Sequence, residues 1–107
     1  MKIELSPAER QYLRGLAHGL NPVVMIGNNG LTDAVIREIA VNLDAHELIK
    51  IRVLGDDRAL REEYLGRICD ELDAAPVQQL GKLLIVYRPS STDKPRIVLP
   101  KGKHKPA

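Results

Sequence analysis

The stretch with most chemical promise is Val23-Val24-Met25-Ile26-Gly27-Asn28-Asn29-Gly30-Leu31-Thr32, an apolar run, a loop bounded by glycines and a helix start. Glycine can take positive φ and lets another backbone come close, a freedom open to Gly27 and to Gly30. The first N–H groups of the following helix have no partner within it. Together these features suit a phosphate.

Two nucleotide-loop patterns fail. A Walker-type loop needs Lys and Ser/Thr after its last glycine, where Leu31 stands, and no G-x-G-x-x-G occurs. The loop fits G-x-x-G, with which KH-type modules clamp the sugar-phosphate backbone of a few nucleotides. An ordinary strand-to-helix turn accounts for the same residues.

Catalytic groupings are thin. His18 ends the first helix, His46 precedes a strand and His104 lies in the tail, without metal-ligand spacing. Cys69 flanks an apolar stripe and reads as a small core residue. Ser90 and Ser91 have no neighbouring His and no G-x-S-x-G elbow. Asp56-Asp57 and Glu62-Glu63 suit a helix cap and first turn. With no nucleophile and base in prospect, no enzyme, metal or cofactor is expected.

The elements that must position the loop follow from pattern. Ser6-Pro7-Ala8-Glu9 is a capping box with Pro in the first turn, opening a helix to about His18. Arg10, Arg14 and His18 recur at four-residue steps beside its apolar side. Val23 to Ile26 is expected as a strand covered on both faces. Thr32 caps a second helix, with Val35, Ile36, Ile39, Ala40 and Leu43 inward. Residues 47–54 alternate, placing Ile49, Ile51 and Val53 on one face and Lys50 and Arg52 on an open, basic one.

A third helix is expected from about Arg58 to Ala74, with Tyr64, Leu65, Ile68, Leu72 and Ala75 as its stripe and Glu62, Glu63, Asp70, Glu71 and Asp73 outside. Residues 77–80 and 83–88 form two strands around Gly81-Lys82, and Ile97-Val98-Leu99 offers a last short strand. The order α-β-α-β-α-β-β implies an α/β (α+β) domain of two layers, helices over a small mixed sheet.

A chain of 107 residues allows one domain and excludes a two-lobed enzyme. No apolar run approaches the ~20 residues that cross a bilayer, and an acid, Glu4, stands where a signal peptide is apolar, so the expected location is the cytoplasm. One Cys agrees with a reducing compartment. The net charge of +2 conceals segregation: residues 1–30 carry +1, 31–80 carry −5 and 81–107 carry +6. A one-sided polyanion surface produces such asymmetry, as does a solvated basic tail over residues 101–107, which is expected to be disordered.

There are three Tyr and neither Phe nor Trp. Base stacking on aromatics, worth ~1–3 kcal/mol each, therefore has little to work with. Any RNA would be held by phosphate and shape, with strong salt dependence.

The runs GLAHGLNPVVMIGNNGLT, HELIKIRVL and GKLLIVYRP, in that order, closely resemble the CRM (CRS1–YhbY) domain in its stand-alone bacterial YhbY form, over about residues 5 to 100. The resemblance implies a fold similar to the C-terminal domain of translation initiation factor 3, with a four-stranded mixed sheet and an extra N-terminal helix. It also implies RNA binding, with ribosomal RNA of large-subunit (50S) precursors as partner and no membrane; the chain is expected as a monomer.

Carried over, the family's G-x-x-G loop falls on Gly27, Asn28, Asn29 and Gly30. Asn21 and Asn28 stand where the family commonly has Lys or Arg. The charge is then left to Arg10, Arg14, His18, Lys50, Arg52, Lys82, Arg88 and the tail. The helix-one stripe is the expected neighbour of the loop, because Asn21-Pro22 joins that helix to the loop's strand. The alternative is a protein-interaction module whose acidic third helix contacts ribosomal proteins or assembly factors.

Overall fold

The capping box closes in the computed structural model, which describes residues 4–89, Ile97 and Leu99. The Glu9 N–H donates to the Ser6 hydroxyl at 3.1 Å, and the Ser6 N–H donates to the Glu9 carboxylate at 2.8 Å. This starts α1 (Pro7–Ala17); β1 (Pro22–Ile26), α2 (Asp33–His46), β2 (Leu48–Val53), α3 (Arg58–Leu72), β3 (Ala75–Leu80) and β4 (Leu83–Tyr87) follow.

The strands form one mixed sheet in the order β1-β2-β4-β3. β1 pairs parallel with β2, through α2 as crossover, and the other two pairings are antiparallel. The register fixes two ends. Ile26 pairs with Val53 and Leu80 with Leu83 at the loop end, whereas Leu48 and Ala75 pair with Tyr87 at the far end.

Alternation decides the faces. Val24, Ile26, Ile49, Ile51, Val53, Leu84 and Val86 meet Ile39 and Leu43 of α2 and Tyr64, Ile68 and Cys69 of α3 in the main core. Each buried aliphatic side chain of this kind contributes about 1.5–3 kcal/mol by leaving water. Leu48, Ile85, Tyr87 and Val77 belong to a second cluster with Leu13 and Ala17 of α1, onto which Leu5, Ile97 and Leu99 also pack.

Four expectations change. β1 is covered on one face only: Val24 and Ile26 are buried, but Val23 and Met25 are exposed, because α1 packs on the far half of the sheet around Leu48 and Tyr87. Residue 47 belongs to the end of α2 rather than to a strand; Glu47 is a buried C-cap at positive φ, and its carboxylate accepts the Ile97 N–H at 2.8 Å. α3 stops two residues early, because Asp73 turns into the left-handed region, so Ala75 begins β3 instead of extending the helical stripe. Ile97 and Leu99 lie in no strand; Val98 and residues 101–107, including His104, lie outside the described residues.

Candidate nucleic-acid interface

The loop after β1 is a tight turn, closed by the Gly30 N–H donating to the Gly27 carbonyl at 3.0 Å. Gly30 has φ +78°, and a Cβ built there would stand 2.9 Å from the Tyr64 hydroxyl. Here glycine is required twice, by backbone and by space. Gly27 does not use that freedom: it is not at positive φ, and the nearest atom to a Cβ would be Leu54 Cδ1 at 4.0 Å.

The helix end is also less open than its sequence implies. The Thr32 hydroxyl takes the Val35 N–H at 3.2 Å, and Asp33 brings a carboxylate to the first turn of α2. Among the described residues, the Asn28 and Asn29 N–H groups have no partner, and both side chains are exposed. These two N–H groups and two amides are the donors that the loop presents.

The neighbouring turns come from β2 and β4. The Leu54 N–H donates to the Ile26 carbonyl at 2.9 Å, and the Val53 N–H to the Lys82 carbonyl at 2.8 Å. Three segments therefore meet at one end of the sheet: residues 27–30, residues 54–57 and Gly81-Lys82. Arg52 is exposed on the open face, opposite Met25 and Leu83, and Lys50 lies two residues further back on the same face, opposite Ile85. The Lys82 ammonium contacts Asp56 at 3.0 Å. That hydrogen bond, then the charge of Lys82 and more weakly that of Arg61, hold the Asp56 carboxyl below its ordinary value.

The other cations lie elsewhere. Arg10 donates to the Pro76 carbonyl at 3.5 Å, and Pro76 pairs with Val86 near the far end. Arg14 and His18 are exposed on the same helix, which enters β1 at Pro22, the end opposite the loop. The link through Asn21-Pro22 thus puts a whole strand between the stripe and the loop. An open groove of about 560 Å³ lies beside that junction, lined by Leu16, Leu20, Val23, His46, Leu48 and Ile97.

Arg88 ties the helices together. Its guanidinium donates to the Leu72 carbonyl at 3.0 Å, the Ala40 carbonyl at 3.2 Å and the Asp44 carboxylate at 2.7 Å. The loop end thus unites Gly27 to Gly30 with Arg52, Lys82 and, more distantly, Lys50, but not with Arg10, Arg14, His18 or Arg88.

One role and one residue escape the sequence reading. Tyr64 supports Gly30, and Arg61, one turn earlier on α3, is 9% exposed beside the 54–57 turn. Their signal was an arginine standing in the same helical stripe as Tyr64, Leu65 and Ile68. Among the described residues, no group of His, Cys, Asp and Glu could hold a metal ion, and no helix is long and apolar enough to cross a membrane.

Comparison with known proteins agrees with this architecture. A protein of Haemophilus influenzae named RNA-binding protein is 48% identical over 97 residues, covering 91% of this chain and 96% of its own. YqeI of Bacillus subtilis is 31% identical over 96 residues, covering 90% of this chain and 99% of its own. The solution structure of SAV1595 from Staphylococcus aureus superposes with a TM-score of 0.79 at 32% identity, covering 91% of this chain and 100% of that one. The CRS1/YhbY (CRM) domain profile matches residues 5–88, and the chain belongs to that family.

Proposed function

We propose that this chain is a non-catalytic RNA-binding protein that holds structured ribosomal RNA by its phosphates during large-subunit assembly. The observation that carries the mechanism is the 27–30 turn, whose Asn28 and Asn29 donors stand at the sheet end where Arg52 and Lys82 converge. The family match and the name of the Haemophilus influenzae relative support RNA as the partner.

Backbone N–H groups and amides contact phosphate oxygens without reading sequence, and the lysine and arginine neutralise charge. Of the three tyrosines, Tyr64 and Tyr87 are buried, which leaves Tyr12 as the exposed aromatic. The acidic outer side of α3 is the side RNA avoids. Part of its charge is already met, Glu62 by Arg58 at 3.9 Å and Glu71 by Arg67 at 3.1 Å, which weakens the reading of α3 as a docking surface for basic proteins.

The test is a salt titration of binding to a labelled large-subunit ribosomal RNA transcript, with Asn28→Glu and Asn29→Glu beside the wild type. Affinity should fall steeply with salt, and each variant should weaken it while melting like the parent. Salt-independent affinity, or variants that bind as the parent does, would refute the phosphate clamp. Crosslinking in cells separates the partners: ribosomal-precursor fragments support the assembly role, and a scatter of messenger RNA refutes it.

A further inference from the structure

One row of residues crosses all four strands at the loop end of the sheet. Met25 of β1 pairs with Arg52 of β2, Arg52 with Leu83 of β4, and Leu83 with Leu80 of β3. Paired residues share a face. It is the face that α2 and α3 leave free, since Val24, Ile26, Ile51 and Val53 turn the other way into the main core.

α1 closes only the far half of that face, where Ile85, opposite Lys50, is buried in the cluster that includes Leu13 and Ala17. The row at the loop end stays open. Met25 is 55% exposed and Leu80 48%, Arg52 is exposed, and Leu83 is half-buried. Three apolar side chains thus accompany one arginine on a strip that spans three strand spacings, about 14 Å. Among the described residues, Arg52 has no carboxylate partner.

The make-up of the strip selects its occupant. Exposed aliphatic groups gain from an apolar surface laid over them, whereas an arginine in their midst calls for an anion or a π face. A wholly apolar protein segment would strand the guanidinium, and a phosphate alone would leave Met25, Leu83 and Leu80 in water. An unpaired nucleotide meets both demands, because guanidinium planes stack on bases and its phosphate carries the complementary charge. A base inside an A-form helix does not, since its faces are already stacked and only its edges reach the grooves. The strip also adjoins the loop: Met25 stands two residues before Gly27, and Leu83 directly follows Lys82.

We propose that the strip of Met25, Arg52, Leu83 and Leu80 takes an unpaired nucleotide of the bound RNA, its base lying over the aliphatic groups and the Arg52 guanidinium. The inference rests on the RNA-binding reading and adds to phosphate contact a preference for single-stranded segments. Aliphatic side chains stand in for the aromatics that the chain lacks, so the preference is for an unpaired base rather than for a particular one.

The test measures binding of a short labelled adenylate single strand, a short RNA duplex and a large-subunit ribosomal RNA transcript over a salt series, with thermal melts alongside. Met25→Ser/Leu80→Ser, at two exposed positions, should melt cooperatively, bind the single strand about tenfold more weakly and bind the duplex within about twofold of wild type. Its slope of log K against log salt should be unchanged, because no phosphate contact is lost. Arg52→Lys, which keeps the charge without the plane, should also keep the slope and lose single-strand affinity.

Parental single-strand affinity in the double variant, or an equal loss on single strand and duplex, overturns the proposal while leaving RNA binding intact. So does a wild type that binds the transcript but not the single strand, or one that sediments as a dimer which the double variant dissolves, since the strip would then join two copies. A wild type that binds no RNA overturns both readings. If the double variant does not fold, the wild-type Met25 methyl resonance decides. It should move upfield, under the ring current of a stacked base, when the single strand is added and not when the duplex is. A methyl that stays in place while the Asn28 and Asn29 amides move overturns the proposal.

Discussion

Substituting alanine at the two loop glycines should have opposite consequences, although the residues look equivalent in G-x-x-G. At Gly30 an L side chain must adopt φ +78° and meet the Tyr64 hydroxyl at 2.9 Å. The left-handed backbone costs about 1–2 kcal/mol, and displacing a packed tyrosine about 1–3 kcal/mol. A loss of about 2–5 kcal/mol is a large share of the ~5–15 kcal/mol typical of a domain. It corresponds to a melting point lower by roughly 8–40 °C, at about 4–8 °C per kcal/mol for a small domain.

At Gly27 the nearest atom would be Leu54 Cδ1 at 4.0 Å and φ is not in the left-handed region, so alanine should leave stability within about 1 kcal/mol of the parent. Urea and thermal unfolding followed by circular dichroism measure both. Tyr64→Phe supplies the internal control, because Tyr64 Cζ would stand 3.9 Å from the new Cβ once the hydroxyl is gone. The double variant Gly30→Ala/Tyr64→Phe should recover about 1 kcal/mol in a double-mutant cycle, leaving the backbone cost. Gly30→Ala melting with Gly27→Ala, or a cycle without coupling, would refute this account of the loop.

Arg88→Met should lose about 3 kcal/mol, since the Leu72 and Ala40 carbonyls and the Asp44 carboxylate lose a charged donor, yet bind RNA within twofold of wild type when assayed below its melting point. Asp56→Asn should tighten RNA binding by freeing Lys82, seen as a lower Kd at moderate salt. Because folding depresses the Asp56 pKa, the carboxylate's stabilising contribution is present above its ordinary value of 3.8 and fades as pH falls through the lowered one, so parent and Asp56→Asn stabilities should converge in acid. Tyr87 is shifted the other way, raised above 10.0 by burial and then by Glu47 and Glu9. Above pH 10 the unfolded chain ionises first and stability falls as pH rises through the raised value, whereas Tyr87→Phe should lose less in an alkaline titration of unfolding.

Local pattern carried the elements a long way. The capping box at Ser6, the cap at Thr32, the alternation of Ile49, Ile51 and Val53, and the turn at Gly81 are interactions within a few residues, so their chemistry is written in consecutive letters. The same locality located the loop and the basic face of β2. It failed where the deciding neighbour is distant in sequence. Val23-Val24-Met25-Ile26 is continuously apolar, and only the docking of α1 on Leu48 and Tyr87 determines that Met25 stays open to solvent.

Cation placement shows the division most plainly. Arg52 and Arg88 are both arginines on strands or at their ends, equal in one dimension. Sheet register puts Arg52 opposite Met25 beside the loop, and the packing of α2 and α3 wraps Arg88 in carbonyls on the other side of the fold. Element order, the glycine loop and the family are legible in the sequence alone. Packing decides which glycine is indispensable and which arginine is buried with its Nε unbonded, because both depend on atoms brought within a few ångströms by tertiary contact rather than by chain neighbourhood.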